Sequence, residues 1–248
     1  MKEYLGKSAK VYELSNRKEL CLTPAIKRLL PKAKENQSLL DIGCGHGDFY
    51  SLSKSKGYKY IGFDLSKEMV SIAQSAYKAG KFRVANSTNF TKEYKQKFDT
   101  IISILLLNCL PAKKLVLQTL RECYTSLKSD GMLLLGLPHP AYDKYMQKGL
   151  LGDKATQGKF QGYFASEAHY IFNKKFSKGT FKFSQTHFTL SDHFQLLNKA
   201  GFYVTAVDEC PPPDKLKKTN LALHTIYSQF PGYIILVCKK YSSFTNLK

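Results

Sequence analysis

Residues Ser38-Leu39-Leu40-Asp41-Ile42-Gly43-Cys44-Gly45-His46-Gly47-Asp48-Phe49 constrain the fold more than any other stretch of the chain. A short apolar run ends in an acid and breaks at once into three glycines at alternate positions. Glycine lacks a Cβ and accepts positive φ, so such a loop lets backbone approach a ligand closely. Strand, glycine turn and helix start together form the ligand corner of a doubly wound α/β sheet. A second acid, Asp64, ends the next apolar run, Tyr58-Lys59-Tyr60-Ile61-Gly62-Phe63, 23 residues after Asp41. Folds of this kind place a ribose-gripping carboxylate about there. The dinucleotide fingerprint G-x-G-x-x-G fits poorly. Counted from Gly43, its third glycine falls on Asp48, and Gly47 comes one residue early. A carboxylate at that point would face a pyrophosphate across the positive end of a helix.

Beyond the loop, apolar runs near 38–42, 58–63, 82–85, 98–105 and 131–137 alternate with helical patterns near 48–56, 66–79 and 112–128. That order predicts a parallel sheet with helices on both faces. Residues 8–34 read as one or two helices ahead of the first strand, with Leu5, Tyr12 and Leu20 as inward candidates. After Pro111, placed for a first helical turn, Val116, Leu120, Cys123 and Leu127 recur at helical spacing and read as core. Near the end, Ser191 reads as the cap of a helix that Gly201 closes, followed by strands at 203–207 and 233–239. Residues 138–186 break the alternation with ten Phe and Tyr interleaved with Gly and Lys. An insertion there lies beside the carboxyl ends of the strands and is expected to form a lid over a substrate site. An auxiliary layer, an oligomer interface or an RNA-stacking surface are the other readings of the same composition.

A chain of 248 residues is long enough for one domain with an elaboration, or for two small ones. No apolar run reaches the length of a membrane span; the longest, Ile101 to Leu107, reads as a buried strand. The start, Met1-Lys2-Glu3-Tyr4, has no apolar core of an export signal. Six cysteines without paired spacing read as reduced thiols of a cytosolic protein and give no metal-binding pattern. The net charge of +19 is the best sequence argument for a polyanionic partner such as RNA. It is spread evenly, however, +10 in residues 1–98 and +9 in 99–248, and only four of the 38 basic residues are arginine. Arginine is the usual tool for bidentate phosphate contacts, whereas lysine is a solvated point charge. A lysine-coated surface accounts for the charge equally well. The sequence does not specify an oligomeric state.

The glycine segment resembles the first motif of the class I S-adenosylmethionine (SAM)-dependent methyltransferases, L-D-x-G-C-G-x-G. Gly62-Phe63-Asp64-Leu65-Ser66-Lys67-Glu68-Met69 is similar to that family's G-x-D-x-S-x-x-M, with Ser66 as a helix cap. Phe82-Arg83-Val84-Ala85-Asn86-Ser87 falls where the family has a strand ending in G-D-A, with Asn86 and Ser87 in place of the last two residues. Phe98 to Ser103 resembles its fourth strand, and Leu127-Lys128-Ser129-Asp130-Gly131-Met132-Leu133 its L-K-P-G-G-x-L turn. The ending, Leu197-Asn198-Lys199-Ala200-Gly201-Phe202 and Pro231-Gly232-Tyr233-Ile234, is similar to small-molecule enzymes of the methyltransferase-11 type. The resemblance implies a Rossmann-like, mostly parallel seven-stranded sheet in a single domain over 1–248, with an N-terminal helical segment (1–36) and the lid (138–186). It also implies a cofactor site built from Tyr12, Asp41, Gly43, Cys44, Gly45, Gly47, Asp64, Leu65, Asn86, Ser87 and Ile104. Asp64 would hold the ribose, Asn86 or Ser87 would meet the adenine, and Tyr4 or Tyr12 would cover the methionine end. SAM is a cation at sulfur and has no phosphate, so an acidic loop suits it.

Methyl transfer is an in-line displacement in which positioning supplies most of the acceleration, and a base is needed only where the acceptor must lose a proton. His139, after the fifth strand, and His187, before the helix at 191, match the family's H-P and Y-H-R-T-like elements. Phe188 stands where that arginine would be. Each histidine is a candidate general base or a structural group bonded to backbone. Adenine-N6 enzymes carry [DN]-P-P-[YFW]; Leu107-Asn108-Cys109-Leu110-Pro111 lacks it and is closer to the family's L-H-H-L-P helix entry. Cytosine-C5 enzymes need a placed P-C, and here Cys210 precedes Pro211. The expected activity is methylation of a small, partly apolar metabolite at O, N or C. An RNA methyltransferase and a non-catalytic SAM-binding adaptor are the alternatives.

Overall fold

The computed structural model describes residues 18–142, 155–157, 162–176 and 179–242. Ten strands are present in it: β1 (Ser38–Ile42), β2 (Lys59–Asp64), β3 (Lys81–Val84), β4 (Phe98–Ile104), β5 (Leu127–Pro138), β6 (Ala155–Gln157), β7 (His169–Phe176), β8 (Gly179–Thr186), β9 (Phe202–Asp208) and β10 (Tyr233–Lys240). Seven of them make one sheet in the order β3-β2-β1-β4-β5-β10-β9. Its pairs are parallel except at β10, which runs antiparallel between β5 and β9. This is the expected Rossmann-like sheet.

Side chains of successive strand residues point to opposite faces, and here each face has its own core. Leu40, Ile101, Leu133, Leu135 and Leu236 share one cluster with Val116, Leu120 and Cys123 of α4 (Lys113–Ser126) and with Leu196 and Leu197 of α5 (Leu190–Lys199). Leu39, Ile102, Leu134 and Ile235 face the other way, onto Leu22, Ala25 and Ile26 of the turn Lys18–Leu22 and α1 (Thr23–Leu29). Strands this apolar on both faces are stable only between two helical layers. The helices α2 (Tyr50–Ser55) and α3 (Lys67–Ala76) complete the β1–β3 half. Ser66 caps α3 by accepting from the Met69 N–H at 3.2 Å, as its position predicts.

Several local expectations are corrected. Of the helical segment 8–34, the turn at 18–22 and α1 are present, and Leu20 packs partly buried on the second cluster. Tyr4, Leu5 and Tyr12 lie outside the described residues. Pro111 sits ahead of the N-cap Ala112 rather than in the first turn of α4. Leu105 takes φ 59°, which ends β4 and turns the apolar run into a short 3-10 turn at Leu107–Cys109. Thr189, not Ser191, caps α5: its hydroxyl accepts from the Asp192 N–H at 3.0 Å, and the Asp192 carboxylate accepts from the Thr189 N–H at 2.9 Å. That reciprocal box satisfies two orphan amides at once. Gly201 closes α5 at φ 93°, as predicted. Two helices that the sequence pattern does not announce, α6 (Asp214–Thr219) and α7 (Leu221–Gln229), fill the connection between β9 and β10.

Within the insertion, β6, β7 and β8 form a separate antiparallel sheet. The loop leading into β7 is pinned to the main body. Glu167 accepts from the Lys113 N–H at 2.7 Å, and the Ser166 hydroxyl donates to Asp192 at 2.6 Å. Lys113 also reaches Asp192 at 2.6 Å. Burial pushes the Asp192 carboxyl up, but these donors outweigh it and hold it at about 2. No helix among the described residues is long and apolar enough to cross a membrane.

Candidate functional site

The glycine loop leaves the carboxyl end of β1 and is held by β2. The N–H groups of Gly43 and Cys44 both donate to the Phe63 carbonyl, at 2.8 and 3.0 Å. Gly43 and Gly47 have φ of 73° and 83°, and a side chain at either would also crowd its neighbours. A Cβ on Gly43 would lie 3.1 Å from Leu106, and one on Gly47 3.0 Å from the Phe82 ring. Gly45, at φ 54°, differs: a Cβ there would meet no described residue within 4 Å. Its side of the loop is open to a ligand, and its glycine answers to backbone conformation alone.

Asp64, at the end of β2, ties this loop to α3. One carboxylate oxygen accepts from the Gly45 N–H at 3.0 Å and the other from the Ser66 N–H at 2.9 Å. Burial raises its pKa, with those N–H groups pulling the other way. The acid is therefore fixed in direction before any ligand arrives. Leu65, 38% exposed, follows it at the rim.

Beneath the loop, Asp41 is 1% exposed and accepts from the Tyr60 hydroxyl at 2.8 Å. Burial pushes its carboxyl from near 3.8 up to about 7, the Tyr60 bond opposes this, and nearby Asp48 adds to it. Gly62 makes the contact possible. A Cβ there would lie 2.6 Å from the Tyr60 hydroxyl oxygen and 3.0 Å from Cys44 Cβ, so the tyrosine can lie flat along β2 only over a glycine. Cys44 is buried in the same place, and burial raises its thiol well above the ordinary range. Lys18, 5% exposed, meets Asp48 at 2.8 Å and lies over the Phe49 ring. Sequence reasoning missed Lys18 and Tyr60. The Tyr-x-Gly spacing of Tyr60 and Gly62 was the available signal; Lys18, distant in sequence, offered none.

Further along the edge, Asn86 is exposed and its side-chain carbonyl accepts from both the N–H and hydroxyl of Thr88, each at 3.0 Å. The buried Ser87 hydroxyl lies 3.3 Å from that of Thr119 on α4. Ile104 is buried at the end of β4, beside Gly136, where a Cβ would meet it at 3.0 Å. The loop glycines, Asp41, Asp64 and Leu65 thus stand together at the β1–β2 corner, with Ile104 at the end of the adjacent β4.

The two histidines sit elsewhere on that edge. His139 is 5% exposed just past β5. Its Nδ1 accepts from the Ala141 N–H at 3.2 Å, so Nε2 is the nitrogen that donates to Glu209, at 3.1 Å. His187, 1% exposed, faces the Tyr163 carbonyl through Nε2 at 2.8 Å. Both rings are engaged in hydrogen bonds within the protein framework.

A family model described as a methyltransferase domain matches residues 14–207. The chain belongs to that family. Among curated relatives, YqeM of Bacillus subtilis, whose name assigns it to the methyltransferases, is 31% identical over 104 residues, 40% of this chain and 42% of that protein. The chain thus matches less than half the length of this relative. Crystal structures of an S-adenosylmethionine-dependent methyltransferase from Mesorhizobium loti and of one from Methanosarcina mazei superpose with TM-scores of 0.65 and 0.64. They are 21% and 20% identical and cover 88% and 89% of this chain and 96% and 98% of theirs. The fold is that of the SAM-dependent methyltransferases.

Proposed function

We propose that the chain transfers a methyl group from SAM to a small, partly apolar metabolite, at an O, N or C atom. The observation that carries this reading is the open glycine corner with its aimed carboxylate. Asp64 is fixed by two N–H groups beside a loop whose Gly45 faces no described residue within 4 Å, while Lys18 pairs with Asp48 and burial holds Asp41 up at about 7. An aimed carboxylate there disfavours a phosphate and favours hydroxyl donors and a cationic ligand. Asp64, already aimed by two N–H groups, takes the ribose hydroxyls; Leu65 and Ile104 supply apolar walls; Asn86 and Ser87 stand on the adenine side. Tyr12 is assigned to the methionine end. When bound, SAM supplies an electrophilic methyl on positively charged sulfur.

The chain's own contribution is orientation and exclusion of water, since holding two reactants at attack distance can account for most of the rate. The insertion supports this as a wall or lid, because β8 runs into His187 and packs on the Leu107–Cys109 turn past β4. His139 and His187 act on the acceptor side as positioning groups, one holding Glu209 and the other Tyr163. Six buried free thiols support a reducing, cytosolic setting.

The test is incubation of the purified protein with methyl-tritiated SAM and extract from its own source, followed by separation of small molecules, RNA and protein. Label in the small-molecule pool is expected. Label in RNA, with binding that falls steeply with salt, would move the reading to the +19 charge. SAM binding with no labelled product in any fraction would make the chain a SAM-binding adaptor.

A further inference from the structure

The connection between β9 and β10 borders an open cavity of about 580 Å³, within the range of small-molecule sites. Its walls are Glu209, Pro211, Pro212 and Pro231 on the loops, and His224 and Tyr227 on α7. The cavity opens at the ligand edge of the sheet, because β9 ends at Asp208 and β10 starts at Tyr233, opposite Pro138 at the end of β5. The His139 N–H donates to the Gly232 carbonyl at 3.1 Å and its ring holds Glu209, so the end of β5 forms part of the cavity's support. From β5 the glycine loop of β1 is two strands away, about 10 Å at the usual strand spacing.

The charge of this cavity opposes that of the chain. None of the described lysines or arginines lines it, although the sequence contains 38. Asp208 is already neutralised: one oxygen takes the Arg28 guanidinium at 2.5 Å and the other the Cys210 N–H at 2.8 Å. The His139 ring is engaged on both nitrogens, with the Ala141 N–H and with Glu209. Among the described lining residues, the carboxylate left without a basic side chain is Glu209, its side chain 62% exposed and held at one oxygen by that buried ring. Around it stand three prolines, Tyr227 and His224. Prolines, an aromatic ring and one oriented carboxylate together suit an organic ammonium. The outer wall, α7, has no buried residue, and its Leu221 and Ile226 are 61% and 40% exposed.

We propose that this cavity is an acceptor subsite for an ammonium-bearing, partly apolar small molecule, and that Glu209 selects for the charge; the word acceptor rests on the methyltransferase reading above. The ammonium is the anchor rather than the reacting atom. A molecule held by it extends past the end of β5 toward the cofactor corner.

The test uses the full chain with S-adenosylhomocysteine present and three matched probes: phenethylamine, phenethyl alcohol and phenylacetate, titrated by calorimetry. The amine is expected to bind about tenfold tighter than the alcohol, with phenylacetate weakest. Glu209→Gln is expected to erase the amine's advantage and leave the alcohol unchanged; a merely structural role would weaken all three together. Ser228→Phe, which fills the cavity, is expected to abolish binding of all three. Equal affinities, failure of the amine to bind, a preference that survives Glu209→Gln, or binding that survives Ser228→Phe overturns the proposal. Binding of SAM itself is measured on the same protein preparations in the absence of S-adenosylhomocysteine. Its absence would sink the methyltransferase reading, while the amine titration decides the cation subsite separately.

Discussion

The two ends of the central sheet are built in opposite ways. At the β1–β2 corner each glycine is fixed by its backbone conformation or by a neighbouring side chain, each Asp64 oxygen by an amide, and Asp41 by a tyrosine lying over a glycine. At the β9–β10 end the chain leaves a cavity, and one of its walls, α7, buries none of its residues. A site for one invariant cofactor can be preorganised at the cost of tolerance. A site for a variable acceptor needs room, and its walls contribute little to the core. Substitutions of the corner's glycines should therefore cost stability and cofactor binding together, and those at the second end should cost acceptor use alone.

That contrast can be broken in order of effect. Gly47→Val combines a forbidden φ with a collision against Phe82, and should lower unfolding free energy by about 3 kcal/mol in urea titrations and remove SAM binding. Asp41→Asn should do the reverse for stability. The folded state keeps a proton that the unfolded chain releases near 3.8, so this acid's contribution declines as pH rises from about 4 to about 7 and stays low above that. The variant should gain about 2 kcal/mol at pH 8, show a flatter stability profile across that window, and still bind SAM more weakly. Tyr60→Phe, which removes one buried hydrogen bond, should cost about 1 kcal/mol and push the Asp41 titration higher, readable by carboxyl NMR. Ser228→Phe should shift unfolding by less than about 0.5 kcal/mol while acceptor turnover falls. A large stability loss there would erase the distinction between the two ends.

The tightly built end was also the legible one. Ligand, backbone and neighbours impose residue types on the corner within a few positions of each other, so Leu39 to Gly47 and Gly62 to Ser66 could be read as strand, loop and cap. The alternating apolar runs declared the sheet for the same reason, since strands buried on both faces admit few other residues. Lys18 could not be read, because its partner Asp48 is 30 positions away. The α6–α7 connection was missed because its helices lack the amphipathic stripe that burial imposes: Leu216 is the buried residue of α6, and α7 has none. Glu209 went unremarked in the sequence because its partner, His139, lies 70 positions away. Thr189 was passed over for Ser191 because the capping box was formed by Asp192, a residue the usual Glu or Gln pattern does not include.

Reversing a single strand has a geometric consequence. In an all-parallel sheet each strand is entered from the amino edge, so every connection must return beneath the site. Here β10 runs the other way, and the chain passes from Asp208 to Tyr233 without leaving the ligand edge. Residues 209–232 are consequently a bridge anchored at both ends by core strands, held to the body through Cys210, Leu216 and Tyr227 but burying no residue of α7. Such a bridge can be exchanged, lengthened or shortened as a cassette, changing the molecule that is welcomed while the seven strands and the cofactor corner stay as they are.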